Sequence, residues 1–381
     1  NQLFALPYHY NRSLINIPSL KHKVSSLLCI NQSVIDYIRY NFIPRDNDVW
    51  LATYPKAGTT WMQNILSYIL YNEPNSSSGI SVGLTTNENI VWFEAQCIPG
   101  GSGACETDST ILTEYALDNL NRINSKINRR CFKTHSHLGT LEPLITSNGK
   151  IIHVARNPKD VAVSMWHHTR SKSFGYDGPF DHFIEKLFLP GEVESGNWWE
   201  YEIPFCAATK RWNETKLNPD LLTNNYTQIY TVWYEDLKVK PVQIILEIAE
   251  FLECPITEEK ATEISMKCDL KTMKLLEQTD GLNLSNNKVI KPKEIHDNNN
   301  SNSSGESHEN QNEESKTNEN INSTGDIHKV CSSHIREGKV GGYKKYFNDE
   351  LLNKFNEVHL KYCNEYNVKE LNLFPEWIYE I

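Results

Sequence analysis

Val49-Trp50-Leu51-Ala52-Thr53-Tyr54-Pro55-Lys56-Ala57-Gly58-Thr59-Thr60-Trp61 decides the fold class. Val49 to Thr53 is a short β-rich run, and Thr59 to Tyr71 follows with apolar residues at Trp61, Met62, Ile65, Leu66, Ile69 and Leu70. That spacing is helical. In the loop between them Gly58 frees the backbone to wrap, Lys56 brings a point charge, and Thr59 and Thr60 open a helix whose first N–H groups lack intrahelical partners. Such a loop is an anion cradle. Trp61 adds an aromatic face on which a purine can stack. A capped strand-to-helix turn would use the same residues. The lysine precedes the glycine, so this is not a Gly-Lys-Ser/Thr loop.

The pattern recurs downstream. Ile151 to Ala155 reads as a buried strand, followed through Asn157-Pro158 by a helix starting near Asp160. Tyr230 to Tyr234 reads as a third strand, with a helix near Val242 to Leu252. Repeated strand-loop-helix units predict an α/β fold, a parallel β-sheet flanked by helices. Ligands of such sheets sit outside the carboxyl ends of the strands. The second loop, Val154 to Ser164, again puts a cation at a strand end: Arg156 offers a fork suited to a phosphate dianion, and Ser164 a hydroxyl about one turn into the helix. A salt bridge from Arg156 to Asp160 is the plainer use of that arginine. Two cationic loops on one sheet point to a ligand with phosphates at both ends.

Between these loops lies Cys131-Phe132-Lys133-Thr134-His135-Ser136-His137, an extended stretch with Lys133, His135 and His137 on one side. His135 is a candidate general base, because imidazole titrates near neutral pH, and Lys133 can stabilise a developing anion. A packed histidine is the alternative, and a metal reading of His135-x-His137 needs a third ligand from elsewhere. His167-His168 is assigned no role.

With 381 residues the chain has room for two or three domains, or one large α/β domain with an insertion. From Asp297 to Asp326 it is Asn, Ser, Glu and Gly, with seven acids against one lysine and Ile321 as its only strong hydrophobe. This composition cannot bury itself, and residues 284–330 read as a disordered acidic insertion. Helical periodicity resumes at Leu351, Leu352, Phe355 and Val358, so the insertion interrupts a domain, and loop-closure entropy makes that tolerable. A net charge of -10 argues against a broad nucleic-acid-binding face, but not against a cleft that focuses a few cations on an anionic ligand. Nine scattered cysteines without a CxxC pair fit the reduced thiols of a cytoplasmic protein. No stretch has the length and apolarity of a membrane helix, so a soluble chain without membrane contact is expected. The chain opens at Asn1 without a methionine, which leaves a removed leader open.

The motifs carry a resemblance. Tyr-Pro-Lys-Ala-Gly-Thr-Thr-Trp at 54–61, Lys-Thr-His at 133–135, Arg-Asn-Pro-Lys-Asp-Val-Ala-Val-Ser at 156–164 and Tyr-Glu-Asp-Leu at 234–237 look like those of the cytosolic sulfotransferases, in order and spacing. Phe183 to Lys186, Gly191 to Val193 and Arg336 to Lys344 extend the likeness to nearly everything except the insertion. The resemblance implies one P-loop-like sulfotransferase domain over 1–381. It would move the sulfuryl group of 3'-phosphoadenosine 5'-phosphosulfate (PAPS) to a hydroxyl or amine of a small organic acceptor by in-line transfer, leaving adenosine 3',5'-bisphosphate (PAP). It implies that Lys56, Gly58, Thr59 and Thr60 hold the 5'-phosphosulfate and that Trp61 stacks on adenine. Arg156 and Ser164 would take the 3'-phosphate, Tyr234, Cys268 and Leu270 would lie beside the base, and Arg336, Glu337 and Gly338 would close over the 3' side. His135 would deprotonate the acceptor, with Lys133, Lys56 and Ser164 completing the catalytic set. The resemblance implies no metal, since lysines can supply the charge stabilisation.

Three departures qualify that expectation. Ala57 stands for the family's usual Ser, Glu337 stands where a second basic residue is usual beside Arg336, and Asn348-Asp349 replace the Thr-Val of the family's dimerisation motif. An acid at 337 weakens attraction to the 3'-phosphate, so a catalytically weak or inactive PAP- or PAPS-binding protein is the alternative, and the family dimer is not assumed. Trp92, Phe93, Phe174 and Tyr176 are candidates for an apolar acceptor pocket and equally for core.

Overall fold

A computed structural model describes residues 13–17, 20–26, 31–71, 90–94, 129–146, 148–170, 176–218, 227–273 and 337–379. The insertion at 284–330, Arg336 and Phe174 lie outside the described residues. An antiparallel pair, β1 (Ser13–Asn16) and β2 (Lys23–Ser26), precedes helix α1 (Gln32–Asn41). The main sheet contains β3 (Val49–Thr53), β4 (Ile90–Trp92), β5 (Cys131–Thr134), β6 (Lys150–Ala155) and β7 (Gln228–Trp233) in the order β4-β5-β3-β6-β7. Every pairing in it is parallel. Among the described residues no helix is long and apolar enough to cross a membrane.

Central strands of a parallel sheet are covered on both faces, and β3 and β6 are buried at every position. Alternation divides their side chains between two apolar layers. Trp50, Ala52, Phe132 and Ile151 face α4 (Trp198–Leu217) and α7 (Asp349–Glu365), with Trp199, Tyr201, Phe205 and Phe355 in the same layer. Val49, Leu51, Ile152 and Val154 face α2 (Thr59–Tyr71), α5 (Pro241–Phe251) and α6 (Glu258–Lys267). Helix α3 (Pro158–Thr169) begins two residues before the expected Asp160, because Pro158 suits a first helical turn and the Asn157 side chain caps it by accepting from the Lys159 N–H at 3.0 Å. Strand β7 ends at Trp233, one residue short of expectation, and Tyr234 opens a short helix, Tyr234–Val239.

Chain order explains where a ligand belongs. From β3 the chain crosses to β4 and β5 on one side, and from β6 it crosses to β7 on the other, so a crevice opens at the carboxyl ends of β3 and β6. At the opposite end of the sheet, Arg130 fixes the register. Its Nε and Nη2 donate to Asp48 Oδ1 and Oδ2 at 2.6 and 2.5 Å, and its guanidinium lies 5.1 Å from the centre of the Phe42 ring. Both partners are buried, and the Val49 N–H donates to the Arg130 carbonyl at 2.9 Å as the strands start. Asp48→Ala leaves a buried guanidinium uncompensated, so a loss of about 3–5 kcal/mol is expected in equilibrium denaturation. Asp48→Ala with Arg130→Met is expected to recover part of it.

Candidate active site

Parallel register brings the tips of β3, β5, β6 and β7 to one edge, and each carries one of the motifs. The β3 tip turns sharply: the Ala57 N–H donates to the Tyr54 carbonyl at 3.1 Å, and Lys56 and Gly58 have φ of 73° and 122°. A lysine in the left-handed region costs of order 1 kcal/mol, a strain typical of loops that hold a backbone ready for a ligand. A Cβ at residue 58 would stand 2.9 Å from Tyr234 Cδ2, so glycine is required twice over, by conformation and by the ring beside it. Thr59 Oγ1 is 2.6 Å from Thr53 Oγ1, and Thr60 is half-buried. Ala57 is fully buried, so the absent hydroxyl leaves the turn intact.

His135 is held by the strand pairing itself. Ala52 pairs with Thr134, which sets Thr53 beside the residue after β5. His135 Nδ1 lies 2.7 Å from the Thr53 carbonyl oxygen. A carbonyl only accepts, so Nδ1 carries the proton and Nε2 presents the lone pair. Burial, with Lys133 next and Lys56 further off, pushes the imidazole down to about 3 against the opposing Thr53 hydrogen bond, so the ring stays neutral at ordinary pH. Lys133 Nζ sits 4.5 Å from the Trp92 ring centre, and His135 meets the same indole edge-on at 5.4 Å. Burial lowers the Lys133 ammonium to about 8, with Glu94 and Glu194 supporting its charge and Lys56 opposing it.

Sequence reasoning missed both of those carboxylates. Glu94, buried directly after the aromatic pair Trp92-Phe93, accepts from the Ser136 hydroxyl at 2.5 Å and from the Thr134 hydroxyl, pinning the turn that carries His135. Glu194 follows the Gly191-Glu192-Val193 stretch, and its burial raises the carboxyl to about 7 against the pull of Lys133. Its neighbour Ser195 donates to the His135 carbonyl at 3.1 Å. An acid beside an aromatic pair was the one available signal, and it is a weak one.

The extended reading through His137 does not hold. β5 stops at Thr134, and His137 turns into the core, its Nε2 2.9 Å from the Ser195 carbonyl and its ring 5.0 Å from that of Tyr201. Period two applies only while the strand lasts. His167 likewise has a structural partner, Tyr346 Oη at 2.8 Å.

The guanidinium of Arg156 joins three segments. Nη1 donates to the Lys56 carbonyl at 3.2 Å, Nη2 to the Lys339 carbonyl at 3.3 Å, and the group stacks 4.3 Å from the Tyr234 ring centre. Its buried Nε has no hydrogen-bond partner among the described residues. Asp160 is engaged elsewhere, accepting from the Gly341 and Tyr343 N–H groups at 2.7 and 2.9 Å. These bonds bring the chain beyond the insertion back onto the crevice. Ser164 lies half-buried in the second turn of α3, two residues deeper than expected, because the helix starts earlier.

Trp61 meets Tyr234 edge-on at 5.2 Å, and Cys268 and Leu270 are buried in the same apolar cluster. Gly338, with φ of 62°, closes against them: a Cβ there would stand 2.5 Å from Leu270 Cδ1. Glu337 is exposed. Of the pocket candidates, Trp92 borders Lys133 and His135. Phe93 is core, packed between Phe42 and Trp50, and Tyr176 is buried with its hydroxyl 2.9 Å from His182 Nδ1.

Comparison with known proteins assigns the family. The family model described as "Sulfotransferase domain" matches residues 46–313, a span that contains all four strand tips. The chain belongs to the sulfotransferase family. The chain is similar to Cytosolic sulfotransferase 12 of Arabidopsis thaliana, at 31% identity over 62% of this chain and 65% of that relative. It is similar to Flavonol 3-sulfotransferase of Flaveria bidentis, at 26% over 83% and 82% of the two chains, and to Sulfotransferase 1A1 of Bos taurus, at 30% over 60% and 66%. The match thus spans just under two thirds of the Arabidopsis and bovine relatives. In fold, the chain resembles mouse sulfotransferase SULT7A1 complexed with PAP, with TM-score 0.55, 19% identity and coverage of 92% and 95%. It also resembles retinol dehydratase in complex with androsterone and PAP, with TM-score 0.56, 19% identity and coverage of 90% and 87%.

Proposed function

We propose that this chain is a PAPS-dependent sulfotransferase that sulfurylates a hydroxyl or amine of a small organic acceptor, with His135 as the general base. The observation that carries the reading is the arrangement at the strand tips: a neutral imidazole with its basic Nε2 unmasked, next to Lys133, in the crevice shared by the Lys56 loop and Arg156. The residues fit a nucleotide phosphorylated at both ends. The Gly58 turn leaves backbone N–H groups at the α2 start for the 5' side, and Arg156 Nε is an unused buried donor for the 3' side. Trp61, Tyr234, Leu270 and Gly338 supply an apolar slot between them for the base. Two fold neighbours crystallised with PAP add support. When bound, PAPS supplies the sulfuryl group and the phosphate leaving group.

With PAPS bound, His135 Nε2 would take the proton of the acceptor hydroxyl or amine. Lys133 would offset negative charge on the sulfuryl group, and Lys56 negative charge on the phosphate side. Preorganised cations in a low-dielectric crevice need no reorganisation during the reaction. The roles of Ser164, Cys268, Glu337 and Arg336 rest on the resemblance alone.

The test is transfer of labelled sulfuryl from PAPS to a panel of phenols, alcohols and amines. Measurable transfer is expected. Tight PAP binding with no transfer to any acceptor would favour the non-catalytic alternative. The pH profile gives a second check. His135 is already in its base form, so kcat/KM has no acid limb near the usual imidazole value. Lys133 is charged below about 8 and loses its charge as pH rises through that value, so activity is expected to fall there. Lys133→Arg is expected to remove this alkaline limb, because guanidinium stays charged. Glu194→Gln removes a charge that supports the ammonium, and is expected to move the limb to lower pH.

A further inference from the structure

Away from the crevice, one cluster has no part in the chemistry above. His153 on β6 faces α4, where Glu202 and Cys206 stand one helical turn apart on the same side. His153 and Glu202 have no exposed side chain, and Cys206 is a buried free thiol. Among the described residues this is the only group of three or more His, Cys, Asp or Glu side chains whose ligand atoms all lie within 4.8 Å of one another.

The inner atoms of the cluster face one another, away from solvent. His153 Nδ1 is 3.1 Å from Thr231 Oγ1, which is 2.6 Å from Thr209 Oγ1, and the ring stacks on Phe205 at 4.3 Å. The threonine hydroxyl can donate or accept, so it orients the ring and leaves Nε2 facing Glu202. Nε2 comes within 2.9 Å of Glu202 Oε2, a buried pair that is satisfied by one proton between the two atoms. A cation held by the same two atoms can take the place of that proton.

We propose that His153 Nε2, Glu202 and Cys206 form a buried zinc site that ties β6 to α4. One nitrogen, one carboxylate oxygen and one thiolate sulfur make a borderline-soft set that favours Zn²⁺, with water in the fourth position. Bonds of about 2.0–2.3 Å let one ion reach all three atoms once the side chains close in slightly. The charges balance: a dication with one carboxylate and one thiolate is neutral, which is what a dry interior tolerates. Binding displaces the Cys206 thiol proton, so zinc affinity is expected to rise with pH. The Thr231 and Thr209 hydroxyls orient the imidazole, as second partners of ligating histidines do. The ligands are remote in sequence except for the one-turn spacing of Glu202 and Cys206, which is why no zinc motif is legible.

The test uses the full chain, purified without chelator and titrated with zinc and, separately, cobalt(II). One equivalent of zinc per chain is expected by elemental analysis. Cobalt is expected to give a thiolate-to-metal charge-transfer band in the near ultraviolet and the intense visible bands of a tetrahedral site. Cys206→Ser is expected to abolish the ultraviolet band and to lose the rise in thermal midpoint that zinc gives the parent chain. Failure of the unaltered chain to bind either metal, or a charge-transfer band that survives in Cys206→Ser, would overturn the proposal. The parent chain alone decides the first outcome, so it does not depend on any variant folding.

Discussion

Replacing His135 by Ala is expected to lower sulfuryl transfer by about 10²- to 10⁴-fold, the usual contribution of a positioned base, while PAP binding stays near that of the parent chain. The reason lies in the tautomer. The Thr53 carbonyl holds Nδ1 at 2.7 Å, so Nε2 is fixed both in orientation and in protonation, and a free hydroxyl acceptor has no other neutral base beside it among the described residues of the crevice. Glu94 is occupied by two hydroxyls, and Glu194 holds its proton up to about 7. His135→Gln puts an amide in the same space without a basic nitrogen, and is expected to be as slow as the alanine variant. Circular dichroism and the thermal midpoint check that the fold persists. A rate within about tenfold of the parent, against the factor a general base supplies, would remove His135 from the mechanism.

Arg156→Ala is expected to weaken PAP binding by about 10²-fold, since hydrogen bonds to charged groups contribute about 1.5–3 kcal/mol each. Two losses combine. One is the fork itself, whose Nε is buried and unpartnered among the described residues. The other is the brace, because the same guanidinium holds the Lys56 and Lys339 carbonyls and covers Tyr234. Arg156→Lys restores the charge without the fork and is expected to recover only part of the affinity. Calorimetric titration with PAP measures both variants, and the deficit is expected to shrink as salt is raised, because screening weakens the ionic share. Unchanged affinity in Arg156→Ala would place the 3'-phosphate elsewhere.

Much of this frame is legible without coordinates. The buried run Val49–Thr53 and the helical spacing of Trp61, Met62, Ile65 and Leu66 give β3 and α2 at the expected bounds, since burial on both faces and 3.6-residue periodicity act locally. Small errors came from end effects. The Asn157 cap moved the α3 start by two residues and set Ser164 that much deeper in the helix, and Tyr234 left its strand to begin a helix. His137 was misplaced because a strand rule was carried past the end of the strand. Glu94 and Glu194 were invisible because their significance is proximity to Lys133, which nothing in their local sequence encodes.

By itself the chain's residue order determined the strand-loop-helix repeats, the cations at their tips and the family they resemble, because turn chemistry and apolar periodicity are properties of short segments. Tertiary structure alone decided that these tips share one edge, that the Thr53 carbonyl selects the His135 tautomer, and that Asp160 and Arg156 draw residues 338–343 back over the crevice from beyond the insertion. It also decided that His153 meets Glu202 and Cys206 in the core. Each of these rests on parallel pairing or packing between segments far apart in the chain, and such contacts exist only once the backbone has closed around them.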